Sequence, residues 1–275
     1  MAEAFELRFV SGGQTYIADD VTAFDGFMAS DYVVNISNHA VYDGGGVSGI
    51  KIAPRSLYIE IPEDASNQSR YLAFFNPKKE GVLYVICGNT IRMINYRVQS
   101  FDVEQLYLSS PPTLKIDLIC PDPYFYDVDD FGKNIASRVA KYAFPFVWLE
   151  KPLISDYKVF TDQTLILNKG DVETGLTVEF KCTGAVENPK IELVTTGEYM
   201  RIIREMEAGD TVVFETNTAR KNIYVNGDKY TNFDPSSTFF SLAEGNNILK
   251  YGSDTGYTSL DVYVRYRAKY LAAWG

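Results

Sequence analysis

The chain has 275 residues, 46% hydrophobic and 23% charged, which is enough for two domains that each bury a core without disulfide or metal staples. It has no apolar run of about 18 residues, so no membrane-spanning helix is expected, and its net charge of −10 disfavours tight binding to a nucleic-acid backbone. The charge is uneven: residues 1–130 carry 9 Lys+Arg against 18 Asp+Glu, whereas residues 131–275 carry 17 against 18. Twenty Tyr and 17 Phe favour half-buried pleated surfaces and interfaces.

The N-terminal MAEAFELRF has neither a basic flank nor an apolar run. No secretory signal is expected, and folding in a cytoplasm is the consequence. Further along, Gly44-Gly45-Gly46-Val47-Ser48-Gly49 reads as a flexible glycine-rich loop. In Ser56–Ile61, apolar side chains at Leu57, Ile59 and Ile61 alternate with polar ones, the period of a half-buried strand. Ser69–Pro77 predicts two helical turns, with Ser69 as cap and Pro77 as terminator. GVLYVIC and IRMINYRV flank Gly88-Asn89-Thr90 and predict a hairpin. Leu114, Ile116, Leu118 and Cys120 then line one face of a strand.

A boundary is expected near PDPYFYDVDDF, where two prolines meet an acidic cluster. This divides the chain into an N-terminal domain, 1–128, a connecting segment, 129–144, and a C-terminal domain, 145–275. Phe131–Ala143 is read as a short helix or an extended arm. Leu176–Cys182 and Leu260–Tyr266 alternate as strands with one solvated face, placing Arg265, Arg267 and Lys269 on the polar side of the last strand region. Asn226-Gly227 is a hairpin signal of the kind that requires two residues with positive φ. AGDT at Ala208–Thr211 and EGNN at Glu244–Asn247 mark further turns. Cys87, Cys120 and Cys182 are odd in number and widely spaced, so no disulfide framework is expected. Cys120 and Cys182 end apolar alternations and should behave as small core hydrophobes.

No chemistry-bearing motif is complete. The Gly44–Gly49 string matches a dinucleotide fingerprint in letters, yet a strand pattern containing Pro54 follows it where a phosphate-binding helix should begin. His39 stands alone, without a second His or a neighbouring Cys for zinc, and without a nucleophile elbow for a hydrolase triad. Asp127, Asp129 and Asp130 lack the calcium-loop spacing, because Phe131 and Arg138 occupy ligand positions. The Tyr and Arg alternation at the C-terminus is compatible with base stacking, but also with an ordinary amphipathic strand.

Several segments in fixed order carry a resemblance: FNPKKEGVLYV (75–85), IDLICPDPYFYD (116–127), FPFVW (144–148), LILNKGDVETGLTVEF (165–180), VENPKIELVTTGEYMRI (186–202), AGDTVVFETNTARKNIYVNG (208–227) and STFFSLAEGNNILKY (237–251). In this order they resemble the distal tail proteins of siphophages, the Dit or siphovirus tail-component family. The resemblance implies a mainly β fold: an N-terminal β-rich domain with one short helix, and a C-terminal antiparallel β-sandwich of galectin-like or carbohydrate-binding-module-like type. It implies a non-enzymatic baseplate hub without cofactor, built as a homo-oligomeric, hexameric ring. That ring would join the tail tube protein to tail-tip or receptor-binding proteins, with DNA passing through its channel unbound and no membrane involved. Its location would be the virion tail tip, after synthesis in the bacterial host cytoplasm. Tyr42, Asp43, Gly44, Gly45 and Gly46 form the candidate oligomer interface. The acidic N-terminal half is a candidate channel lining.

Two other classes of function fit the composition. One is a carbohydrate-binding module for cell-wall glycans, with Trp148, Tyr199 or Tyr230 as aromatic platforms. The other is a glycoside hydrolase, for which no carboxylate pair stands out.

Overall fold

Alternating apolar side chains become antiparallel sheets in the described residues of both halves of the chain. The computed structural model describes residues 5–18, 22–28, 31–39, 41–62, 68–104, 112–129, 131–135, 138–140, 156–158, 163–217 and 221–275. Two compact units result: Met1–Val128 with Lys269–Gly275, and Asp129–Ala268.

The first unit opens with β1 (Phe5–Ser11), β2 (Gln14–Ile17) and β3 (Ala23–Asp25), followed by a hairpin of β4 (Tyr32–Asn38) and β5 (Gly45–Ile52). Next come β6 (Arg55–Pro62), helix α1 (Gln68–Phe74), β7 (Glu80–Cys87), β8 (Thr90–Glu104), β9 (Thr113–Cys120) and β10 (Phe125–Asp127). The main sheet runs β2-β1-β7-β8-β9-β6-β3, with β10 against β8. One face is its core: Leu7 and Phe9, Leu57, Ile59 and Ile61, Leu83 and Val85, Leu114, Ile116 and Leu118 are all buried. Phe75, at the end of α1, packs edge-on against Phe9 with ring centroids 5.6 Å apart.

The second unit contains β11 (Phe131–Asn134), β12 (Arg138–Ala140), β13 (Asp156–Lys158), β14 (Gln163–Asn168) and β15 (Leu176–Cys182). It continues through β16 (Val186–Glu187), β17 (Lys190–Leu193), β18 (Glu198–Arg201), β19 (Glu205–Met206) and β20 (Thr211–Glu215). The last strands are β21 (Asn222–Val225), β22 (Asp228–Lys229), β23 (Gly245–Gly252) and β24 (Leu260–Tyr266), before β25 (Lys269–Tyr270) returns to the first unit. One sheet orders as β11-β24-β15-β20-β21-β22 and another as β14-β23-β17-β18. Val178, Phe180, Val212 and Phe214 on the first, with Ile191, Leu193 and Leu249 on the second, are buried. The Asn226-Gly227 turn joins β21 to β22 with φ of 52° and 87°, as the hairpin signal requires.

Two expectations are corrected, and one open alternative is decided. The Gly44–Gly49 stretch is not a loop: Gly45–Gly49 lie within β5, held by pairing with β4. Of the two readings of Phe131–Ala143, a short helix or an extended arm, the described part follows the extended one: Phe131–Asn134 pairs along β24 and Arg138–Ala140 pairs with β13; residues 136–137 and 141–143 lie outside the described residues. Lys269 is not on a solvated face. It is 5% exposed, and its ammonium lies 5.2 Å from the centre of the Tyr124 ring.

The cysteines follow their expected role. Burial pushes the Cys120 thiol up to about 12 and the Cys182 thiol up to about 11. Since thiolate is the reactive form, iodoacetamide at neutral pH should label Cys87, which is only half-buried, and spare the other two until the protein unfolds. Peptide mass mapping before and after denaturant checks this; rapid native labelling of Cys120 would contradict the burial.

Candidate functional site

The β4–β5 hairpin is a two-stranded sheet of its own, separate from the main sheet of its unit. Ala53 N–H donates to Asp31 C=O at 2.9 Å and closes its base. The register pairs Tyr32 with Ile52, Val34 with Ile50 and, beyond an irregularity at Asn35/Ile36, Ile36 with Val47. Directly opposed residues share a face of an antiparallel pair, so Tyr32, Val34, Ile36, Val47, Ile50 and Ile52 make one apolar stripe. The bulge is essential to this. Val47 and Ile50 are three residues apart and would face opposite ways in a regular strand; one extra residue on β5 brings them to the same side. Ser48, at the bulge, donates its hydroxyl to Asn35 C=O at 3.1 Å.

The opposite face carries Val33 across from Lys51, Asn35 across from Gly49, and Ser37 across from Gly46. The arm is therefore amphipathic, yet its apolar side is uncovered: Ile36 is 63% exposed, Val47 61% and Ile50 64%. An isolated two-stranded ribbon is marginal in water, and contiguous exposed apolar side chains on a soluble protein mark contact surfaces.

All five candidate interface residues are at the tip of this arm. Tyr42, Asp43 and Gly44 lie in the connection between the strands, with Tyr42 80% exposed, and Gly45 and Gly46 begin β5. The stripe along the strands was not among the candidates.

Other candidate groups are placed as follows. His39 is exposed beside the arm's tip, its backbone N–H donating to Gly44 C=O at 3.2 Å. Asp127 accepts the Tyr270 hydroxyl at 3.1 Å, while Asp130 and Trp148 lie outside the described residues. No cluster of three or more His, Cys, Asp or Glu is positioned to hold a metal ion among the described residues, and no described helix is long and apolar enough to cross a membrane. The Tyr199 ring has the Lys190 ammonium 4.3 Å from its centre, and its hydroxyl donates to Asp234. Tyr230 has Arg204 5.7 Å from its ring and donates to Ile203 C=O. Both rings already have packing partners on a polar surface.

The carboxylates of Glu6, Glu80 and Glu104 are ion-paired with Arg8, Arg97 and Lys115. These pairs are largely exposed, so each contributes little to stability.

Residues 169–270 match the sequence profile of the siphovirus-type tail component, C-terminal domain. No curated protein matches the chain. Among solved structures, the chain is similar to the SPP1 Dit (gp 19.1) protein, described as a paradigm of the hub adsorption apparatus in phages infecting Gram-positive bacteria. The TM-score is 0.68 at 12% identity, over 96% of this chain and 98% of that one. Chains of the phage p2 baseplate in its activated conformation align at lower similarity. With Ca the TM-score is 0.45 and with Sr 0.46, each at 9% identity over 98% of this chain and 99% of the other. Residues 169–270 thus match the siphovirus-type tail component C-terminal domain model, and the chain shares the fold of the SPP1 Dit protein.

Proposed function

We propose that this protein is a structural hub of a siphophage tail tip, assembled as a closed, six-membered ring through the arm of its first unit. The ring joins the tail tube to tail-tip or receptor-binding proteins, and the protein's work is positional, not catalytic. It is made in the host cytoplasm and ends in the virion tail. The observation that carries this reading is the uncovered apolar stripe of the β4–β5 arm, on a chain with the fold of a protein described as a hub. A ring requires a head-to-tail contact in which one surface of each copy meets a different surface of the next. A projecting amphipathic ribbon is suited to that geometry, and its tip, Tyr42–Gly46, reaches furthest along the chain from its base.

Residues 1–130 carry an excess of nine acidic side chains, which fits a lumen that repels passing DNA. The experiment is mass measurement in solution with negative-stain imaging of the full chain, alone and with the tail tube protein. Particles with a central hole and about six times the 30.9 kDa chain mass are expected, and they should not retain duplex DNA at about 0.1 M salt, where exposed charges still interact over about 10 Å. Protein that stays monomeric in both preparations would overturn the ring.

A further inference from the structure

The first unit is completed by a segment that follows the whole of the second unit in sequence, and this segment is tied to the base of the arm. β25 pairs with β10, Tyr270 opposite Phe125 and Lys269 opposite Tyr126. Beyond it, three consecutive backbone groups are captured. Leu271 C=O accepts from Arg55, Ala272 C=O accepts from Arg92 at 2.8 Å, and Ala273 N–H donates to Phe27 C=O at 3.0 Å. Trp274 then packs against Phe5, Phe24 and Phe27, with ring centroids 5.0, 6.3 and 6.4 Å away.

These contacts converge on the two chain segments from which the arm springs. Phe24–Phe27 lead into β4, and Arg55 opens β6 directly after the Ala53-Pro54 link from the arm. Arg55 is 3% exposed. Besides Leu271, its guanidinium donates to Gly26 C=O at 2.8 Å and to Pro123 C=O at 2.8 Å, and it lies 5.0 Å from the centre of the Phe125 ring. One planar, five-donor head therefore ties together the incoming leg, the β9–β10 loop and the returning segment, a task for which its rigid fork is suited. Gly26 brings the incoming leg against the outgoing one: at φ +87°, a Cβ on it would lie 2.2 Å from Ser56 C=O. Only glycine permits that approach.

We propose that Arg55 and the Lys269–Trp274 segment form a clasp that fixes the direction in which the arm leaves the sheet, and that both are positioning elements for subunit contact. A two-stranded ribbon cannot hold its own angle; its orientation is set where its legs are held. A pre-set arm avoids the ordering cost that a swinging one would incur on docking. Because residues 129–268 lie between β10 and β25, the clasp closes only after the second unit has been translated. The chain therefore becomes competent to assemble only when both units exist. The functional consequence rests on the arm being the subunit contact; the clasp itself does not.

The test is hydrogen exchange on the full chain, comparing wild type with Arg55→Lys and Trp274→Ala. Lysine keeps the charge but loses the fork. Alanine removes only the aromatic anchor, so a folded variant remains to be read if the buried substitution fails to fold. The expected result is that the Ala53 amide at the arm's base exchanges at least about tenfold faster, the scale of a local opening, while the Leu83 and Ile94 amides in the sheet are unchanged. Acceleration confined to Ala273 would mean that the clasp holds only the returning segment. Parallel acceleration of all four amides would mean general destabilisation. Either result overturns the proposal. The subunit-contact reading is decided separately by Ile36→Glu: if that variant assembles as wild type does, the arm is not the contact, whatever the exchange pattern shows.

Discussion

Replacing Val34 and Ile36 together by glutamate is expected to leave the chain folded and to abolish the proposed ring assembly. Both side chains are exposed, 46% and 63%, so neither contributes to the core, and surface substitutions of this kind usually change stability by less than about 0.5 kcal/mol each. In a subunit contact the same positions become expensive to change. Each buried aliphatic side chain contributes about 1.5–3 kcal/mol, and a carboxylate forced into that contact adds a desolvation penalty. The pair therefore costs at least about 3 kcal/mol per junction, more than about a hundredfold in dissociation constant. A closed ring meets that loss at every junction. Sedimentation velocity compares the variant with Val33→Glu, whose side chain lies on the other face, opposite Lys51. Val33→Glu should assemble. Equal loss from both variants would show that the arm is not read by its apolar face.

The arm is also where the sequence was least legible, for a physical reason. Val34 and Ile36 alternate correctly, but β5 contributes Gly45, Gly46 and Gly49, which carry no side chain to register a period. The bulge at Asn35/Ile36 then breaks the alternation that remains. Only the paired strand reveals that Val47 and Ile50 share a face. The clasp was hidden differently. Arg55 is recognised by backbone carbonyls at positions 26, 123 and 271, and a carbonyl has no sequence signature. Lys269 continued an alternation that, in isolation, means a solvated side chain; Tyr124 and Tyr126, remote in sequence, make it a buried one.

The regular parts were legible because local and tertiary preferences agree there. Leu57, Ile59 and Ile61 are buried in register, as their period requires, and so are Leu114, Ile116 and Leu118. The Asn226-Gly227 turn and the short helix ending before Pro77 needed no information from elsewhere in the chain. Phe131–Asn134 shows the converse case. Its local composition admits a helix, but β24 offers a free edge, and pairing with Val264 and Tyr266 decides the outcome.

The C-terminal sandwich should be most sensitive at Phe214. This side chain is fully buried in β20, opposite Val178 on one side and Ile223 on the other. It meets Phe180 edge-on, with ring centroids 5.8 Å apart. Phe214→Ala removes most of the side chain and leaves a cavity that the two flanking strands cannot close, a loss of about 3–5 kcal/mol. Against a total stability of about 5–15 kcal/mol for a domain, that is enough to lower the melting temperature by about 10 °C or more. Phe214→Leu refills much of the volume without the aromatic pair and should lose about 1–2 kcal/mol, the sum of a smaller void and one edge-to-face contact. Urea titration of both variants separates the terms, since the midpoint should fall in the order wild type, Leu, Ala while the slope stays constant. Equal midpoints for Leu and Ala would assign the loss to the aromatic pair instead of the cavity. The consequence in the cell follows from population: a sandwich weakened by 3–5 kcal/mol exposes its core often enough to be degraded or to aggregate. Under the proposed hub role, tails should then lack this protein because too few chains survive to close a ring, although the arm and its proposed clasp are untouched.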